Sequence, residues 1–264
     1  MKKLLLLLFL LGGSPAWAAV CPEHFYLGAT PVFEQASLTE QSTLLCNQGY
    51  AVFYSGKTKT PLWAAEYLTP LRMGKAQHMA RVNYFKEDRR LGTAVRATLP
   101  DYVHSGLDRG HLAPAGDMTN AVEQQQSFLL SNVVPQAPNI NRGAWAQLEE
   151  FVRDEARTRS LYVVTGVLFE GKQVAFLQGR VGVPTHLYKT LYDPATGEAE
   201  AFVIANRPRA PLQRVPVATI NARAHIKFGW PLCLSPPCEH SCPRPGLPPK
   251  PHKPPQERKH ATHP

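Results

Sequence analysis

Along much of the chain, apolar positions follow either the two-residue period of a strand or the longer period of a helix. Residues 161–169 (Leu-Tyr-Val-Val-Thr-Gly-Val-Leu-Phe) and residues 181–192 are β-rich, and a third such stretch covers 200–205. It follows the turn signal Asp193-Pro194-Ala195-Thr196-Gly197. Residues 49–54 make another strand, and residues 62–67 extend the same sheet. Residues 141–158 differ: Trp145, Leu148 and Val152 recur at helical spacing with charged residues between them. No internal repeat interrupts residues 20–230. The order predicts an α+β class, one largely antiparallel domain with a prominent helix directly before a strand pair.

The two ends of the 264-residue chain have other patterns. Residues 1–18 open with Lys2 and Lys3, run apolar from Leu4 to Leu11 and end in Ala16-Trp17-Ala18. That is the pattern of a secretory signal peptide, and the run is well short of the roughly 20 residues a membrane span needs. Export to the periplasm or medium is therefore expected, with a domain over 19–230 and no membrane insertion after cleavage. Residues 231–264 hold 11 prolines among lysines, arginines and histidines, a basic segment that cannot bury a core. The formal net charge of +9 falls to +7 without Lys2 and Lys3, and still favours a polyanionic partner. Five cysteines in an exported chain suggest disulfides, with Cys21 and Cys46 as the expected pair because the other three crowd together at Cys233, Cys238 and Cys242. With His240, that trio reads either as a zinc knot or as a small disulfide loop plus one remaining thiol.

Candidate chemistry is concentrated in Leu107-Asp108-Arg109-Gly110-His111-Leu112-Ala113-Pro114 and, further on, Asn139-Ile140-Asn141-Arg142-Gly143-Ala144-Trp145. Phosphodiester hydrolysis needs a base for water, positive charge on the phosphoryl oxygens and help for the departing oxygen. His111 can be the base, and Arg109 offers a forked cation suited to phosphate. On a strand these two positions share a face, with Gly110 leaving room for close backbone approach. Asn141, at the expected start of the helix, can offer an amide oxygen to magnesium, which keeps its waters and takes few protein ligands. Glu149, with Arg153 four residues beyond it, is placed to orient water on that ion. Singly, each has a plainer reading: a turn histidine, a helix N-cap, a surface ion pair.

Read as an ordered series, these residues resemble the DNA/RNA non-specific endonuclease family of the ββα-metal superfamily. Asp108-Arg109-Gly110-His111 matches its signature, followed by Ser131-Asn132-Val133-Val134-Pro135-Gln136, Asn141 through Trp145, and Leu148-Glu149. The likeness covers most of 49–230. It implies a ββα-metal core in which His111 is the general base and Asn141 holds a single Mg2+, with Mn2+ as a substitute. It also implies that Arg109 and Arg153 face phosphates, that Asn132 supports the site by hydrogen bonding and that Glu149 orients water. DNA and RNA would be the substrates, cut without regard to sequence to 5′-phosphorylated ends; a homodimer and a protein inhibitor are further partners to expect. Two other classes compete: a secreted polyanion-binding protein without turnover, and a phosphodiesterase of small substrates.

Overall fold

The computed structural model describes residues 20–231. Its strands in chain order are β1 (Val32–Phe33), β2 (Ser42–Cys46), β3 (Ala51–Ser55), β4 (Thr60–Leu68), β5 (Asp108–His111), β6 (Val133–Gln136) and β7 (Leu161–Leu168). Then follow β8 (Ala175–Leu177), β9 (Val181–Val183), β10 (His186–Tyr192), β11 (Ala199–Ala205), β12 (Gln213–Val215) and β13 (Ile226–Lys227). The helices are α1 (Ala36–Thr39), α2 (Pro70–Ala76), α3 (Ala121–Ser127), α4 (Pro138–Asn141), α5 (Ala144–Ala156) and α6 (Val217–Ala224). Seven strands form one sheet in the order β12-β11-β10-β7-β4-β3-β2, antiparallel at every pairing. Helix α5 directly precedes the β7–β10 pair, as the pattern predicts.

Both faces of this sheet are covered, which is why β7 is apolar almost throughout rather than strictly alternating. On the front, Trp145, Leu148, Val152 and Ala156 of α5 pack with Leu112, Met118 and Ile140 onto Val163, Val167, Leu187, Leu191 and Ile204. On the back, Phe25, Leu38, Ile220, Phe228 and Trp230 cover Trp63, Val164, Tyr188, Tyr192 and Val203. A disulfide joins Cys21 to Cys46, Cα atoms 5.8 Å apart, so the N-terminal segment is tied to the edge strand β2 as expected. No helix among the described residues is long and apolar enough to cross a membrane. The segment 1–18, the cysteine trio with His240, and all but the first residue of the 231–264 tail lie outside the described residues.

Two expected elements are each divided. Residues 181–192 form β9 and β10, which belong to different sheets: β9 pairs with β8, whereas β10 lies between β7 and β11. Pro184 falls at the crossing and has no N–H to give a ladder. The helix expected over 141–158 is interrupted at its start: Asn141 ends α4, and α5 begins at Ala144 after Gly143, whose backbone (φ −118°, ψ −111°) is not helical. A Cβ there would sit 2.4 Å from the Asn139 carbonyl oxygen, so the break requires glycine. Asn141 therefore closes the short helix α4 instead of opening the long one.

Candidate active site

Beside the large sheet, β5 and β6 pair antiparallel with Arg109 opposite Pro135 and His111 opposite Val133, and α4 and α5 follow. The approach of these strands is close: a Cβ on Gly110 would lie 1.7 Å from Gln136 Oε1, so no other residue fits without moving β6. Arg109 and His111 share a face, because both flank the Phe85 ring. The Arg109 guanidinium lies 4.4 Å from its centroid and the imidazole centroid 5.3 Å. Arg109 is exposed and makes no ion pair among the described residues. His111 is buried, with Phe128 meeting it edge to face at 4.8 Å and no hydrogen bond to its Nε2. Burial, reinforced by the Arg81 charge, lowers the pKa of His111 to about 3, so the ring is neutral at physiological pH. Asn132 fixes the chain just beyond it: Ala113 N–H donates to Asn132 Oδ1 at 3.0 Å, while Asn132 Nδ2 donates to the carbonyls of Ala113 and Ser127 at 2.8 and 2.9 Å.

Asp108, at the other end of β5, connects this strand to Asn141. The Asn141 amide nitrogen donates to Asp108 Oδ2 at 2.8 Å, and Arg142 Nε donates to the same oxygen at 2.8 Å. Burial alone would raise the Asp108 pKa, but the bonds from Arg142 and Asn141 outweigh it and hold the carboxyl below its ordinary value. An ionised carboxylate only accepts, so it selects the donor end of the Asn141 amide. Asn141 Oδ1 is left without a hydrogen bond among the described residues, a neutral oxygen suited to a hard cation. Among the described residues no group of three or more His, Cys, Asp and Glu side chains could hold a metal ion. Any ion held through Asn141 would therefore keep most of its shell for water and substrate.

Glu149, on α5, makes no hydrogen bond among the described residues, and burial raises its pKa to about 7 against the opposing charge of Lys189. Arg153 sits deeper than a purely phosphate-facing role would suggest. It donates to Asp117 Oδ1 at 3.1 Å and to Glu150 Oε2 at 2.8 Å, so Glu150 and not Glu149 is its partner on the helix. Beneath them, two charged side chains of the large sheet are fully buried. Lys189 donates to Thr165 Oγ1 and lies 5.6 Å from the Trp145 ring. Glu66 keeps one carboxyl oxygen unpartnered, and burial, with Asp117 adding to it, favours its neutral form.

Several contributors have no role legible in the sequence, including Phe85, which stands in the lead-in that the family resemblance covers. Phe85 and Phe128 enclose the His111 ring, and Arg81 lies 5.5 Å from the Phe128 centroid, close enough for its charge to act on both His111 and Glu149. Asp108 belonged to the recognised signature, but no role was attached to it. Only the pairing of Asp108 with Asn141 across the fold reveals one.

A ββα unit carrying a neutral histidine, an unpaired arginine and a tethered asparagine on one side of an antiparallel sheet defines a ββα-metal nuclease. The sequence model of the DNA/RNA non-specific endonucleases matches residues 28–232, and the chain belongs to that family. It is 35% identical over 205 residues to mitochondrial endonuclease G of Homo sapiens, covering 70% of this chain and 69% of that protein. It is 39% identical over 168 residues to nuclease C1 of Cunninghamella echinulata var. echinulata (59% and 67%), and 32% identical over 207 residues to a nuclease of Nostoc sp. (73% and 74%). Among solved structures it is similar to the crystal structure of the EndoG/EndoGI complex, with TM-score 0.65 and 29% identity over 70% of this chain and 84% of that one. The protein is thus an endonuclease acting on nucleic acid.

Proposed function

We propose that the protein hydrolyses phosphodiester bonds of DNA and RNA without sequence preference, using His111 as general base and one magnesium ion held through Asn141, with manganese as an alternative. The observation that carries this reading is the Asp108–Asn141 hydrogen bond, which joins the strand bearing Arg109 and His111 to Asn141, the proposed cation ligand. Held by Asn141 Oδ1 and a substrate phosphate, the ion would supply positive charge to the phosphoryl and departing oxygens. The chain's own groups do the rest. Neutral His111 takes the proton as a water oxygen attacks phosphorus, the P–O3′ bond breaks, O3′ takes up a proton from solvent water to leave as a 3′-hydroxyl, and the phosphate stays on the 5′ side. Arg109 holds the phosphate from solvent, and Arg81 adds positive charge beside the base. Arg153 contributes charge from its ion pair with Asp117, Glu149 accepts hydrogen bonds from water at the site, and Asn132 keeps the chain after His111 in place.

Because these residues address phosphate and not base edges, cleavage tracks the backbone and binding weakens with salt. The proposal includes export to the periplasm or medium, supported by the apolar leader and by the Cys21–Cys46 disulfide. A protein inhibitor is supported as a partner by the similar solved structure, which is of a nuclease complexed with EndoGI; a homodimer rests on the family resemblance alone. The test is plasmid incubated with the full chain, with magnesium or with EDTA, beside folded His111→Ala. We expect cleavage only with the metal, and a loss of about 10²- to 10⁴-fold in the variant with DNA binding retained. Magnesium-independent cleavage, or a folded His111→Ala as fast as wild type, would overturn the assignment.

A further inference from the structure

At the end of β5 where the chain enters from Leu107, a surface pocket of about 200 Å³ is lined by Leu99, Tyr102, Val103, Leu107, Asp108 and Arg109. We propose that it is a binding subsite for one unpaired nucleobase of the substrate strand, next to the phosphate held by Arg109. The inference rests on the function proposed above, because Arg109 is what joins the pocket to the chemistry. Arg109 lines the pocket, and its guanidinium reaches from there over Phe85, beside His111. A phosphate on Arg109 therefore places an adjoining nucleoside over Leu99, Val103 and Leu107.

The pocket is preformed. Tyr102 is buried and its hydroxyl donates to the Val133 carbonyl at 3.4 Å, which fixes one wall to β6. From the β8–β9 hairpin, Gln178 Nε2 donates to the carbonyls of Pro100 and Val103 at 3.2 and 3.4 Å, and Arg180 Nε donates to Asp101 Oδ1 at 2.7 Å. Val103 is nevertheless 52% exposed, so an apolar side chain is offered to solvent on a braced wall. Such a surface suits the face of a base, since every base has one and none is selected by it. The one carboxylate in the lining, Asp108, is already engaged by Arg142 and Asn141, and Arg109 is committed to the phosphate, which leaves the apolar walls to meet the base.

A base inside a duplex is stacked and paired, and bringing it out costs a few kcal/mol; an unpaired strand has no such cost. The pocket therefore favours single-stranded DNA and RNA over duplex. The experiment compares wild type with Val103→Ser, full chain in EDTA, binding one labelled oligonucleotide either unpaired or annealed to its complement, followed by cleavage of both with magnesium. We expect the single-strand to duplex affinity ratio to fall roughly three- to tenfold in the variant, tenfold being ~1.4 kcal/mol. KM for the unpaired strand should rise by a similar factor at little change in kcat. If Val103→Ser melts below wild type, Val103→Thr, of the same shape with a hydroxyl for a methyl, gives the same direction with a smaller effect. An unchanged ratio, whether both substrates weaken equally or neither does, overturns the pocket assignment and leaves the nuclease reading in place. A wild-type protein that cuts neither substrate overturns the nuclease reading, and this inference with it.

Discussion

Glu149 has an environment that suits catalysis better than stability. Its carboxyl has no hydrogen bond among the described residues and its pKa is raised to about 7 from an ordinary 4.5. Between those values the folded protein binds the proton and the unfolded chain does not, so the group's contribution to stability is present at low pH and lost as pH rises through 7. Glu149→Gln should therefore be more stable than wild type at pH 8 by on the order of 1–3 kcal/mol, at ~1.4 kcal/mol per pKa unit, with a difference below ~1 kcal/mol at pH 5. Thermal unfolding in EDTA at both pH values checks this, and an equal gain at both would show that ionisation is not the cause. His111 is shifted the other way. The sequence alone places the acid limb of activity at an ordinary histidine pKa near ~6.5, whereas burial moves that ring to about 3 and out of the working range. Identity was legible at these positions and environment was not. His111, Arg109, Asn132, Asn141 and Glu149 lie in an ordered series. Arg81, Phe85 and Phe128 act through contacts between remote segments that no spacing announces.

At the scale of elements, β5 and β6 are a pair whose separation is set by one glycine. Gly110→Ala drives a methyl into Gln136, whose Cβ would be 2.8 Å away and cannot rotate aside. Overpacking of this kind costs ~1–3 kcal/mol. A lowered melting temperature should therefore appear together with a lower kcat, since His111 is the next residue. Adding Gln136→Ala should restore part of both, because the two substitutions meet at one contact. A Gly110→Ala protein indistinguishable from wild type would mean that β6 shifts without cost. The strands were legible in the sequence because apolar runs bounded by turn residues have few alternatives. The division of residues 141–158 was harder to see. Gly143 lies in a helical pattern that continues on both sides of it, and a lone glycine is tolerated in a helix often enough that its clash with Asn139 becomes evident only in three dimensions.

For the whole molecule, the division of labour runs through the large sheet, with the chemistry on its front and the N-terminal segment, α6 and the Cys21–Cys46 link behind. That link closes a separation of 25 residues and should stabilise the fold by ~2–4 kcal/mol, mostly by restricting the unfolded chain. Replacing Cys21 and Cys46 together by serine is expected to lower the denaturant midpoint with little effect on kcat for the protein that remains folded. Wild-type stability in the double variant would show that the link is dispensable. Because such a link forms only where thiols are oxidised, a chain held in a reducing interior would lack this share of its stability and be more open to proteolysis than the oxidised protein.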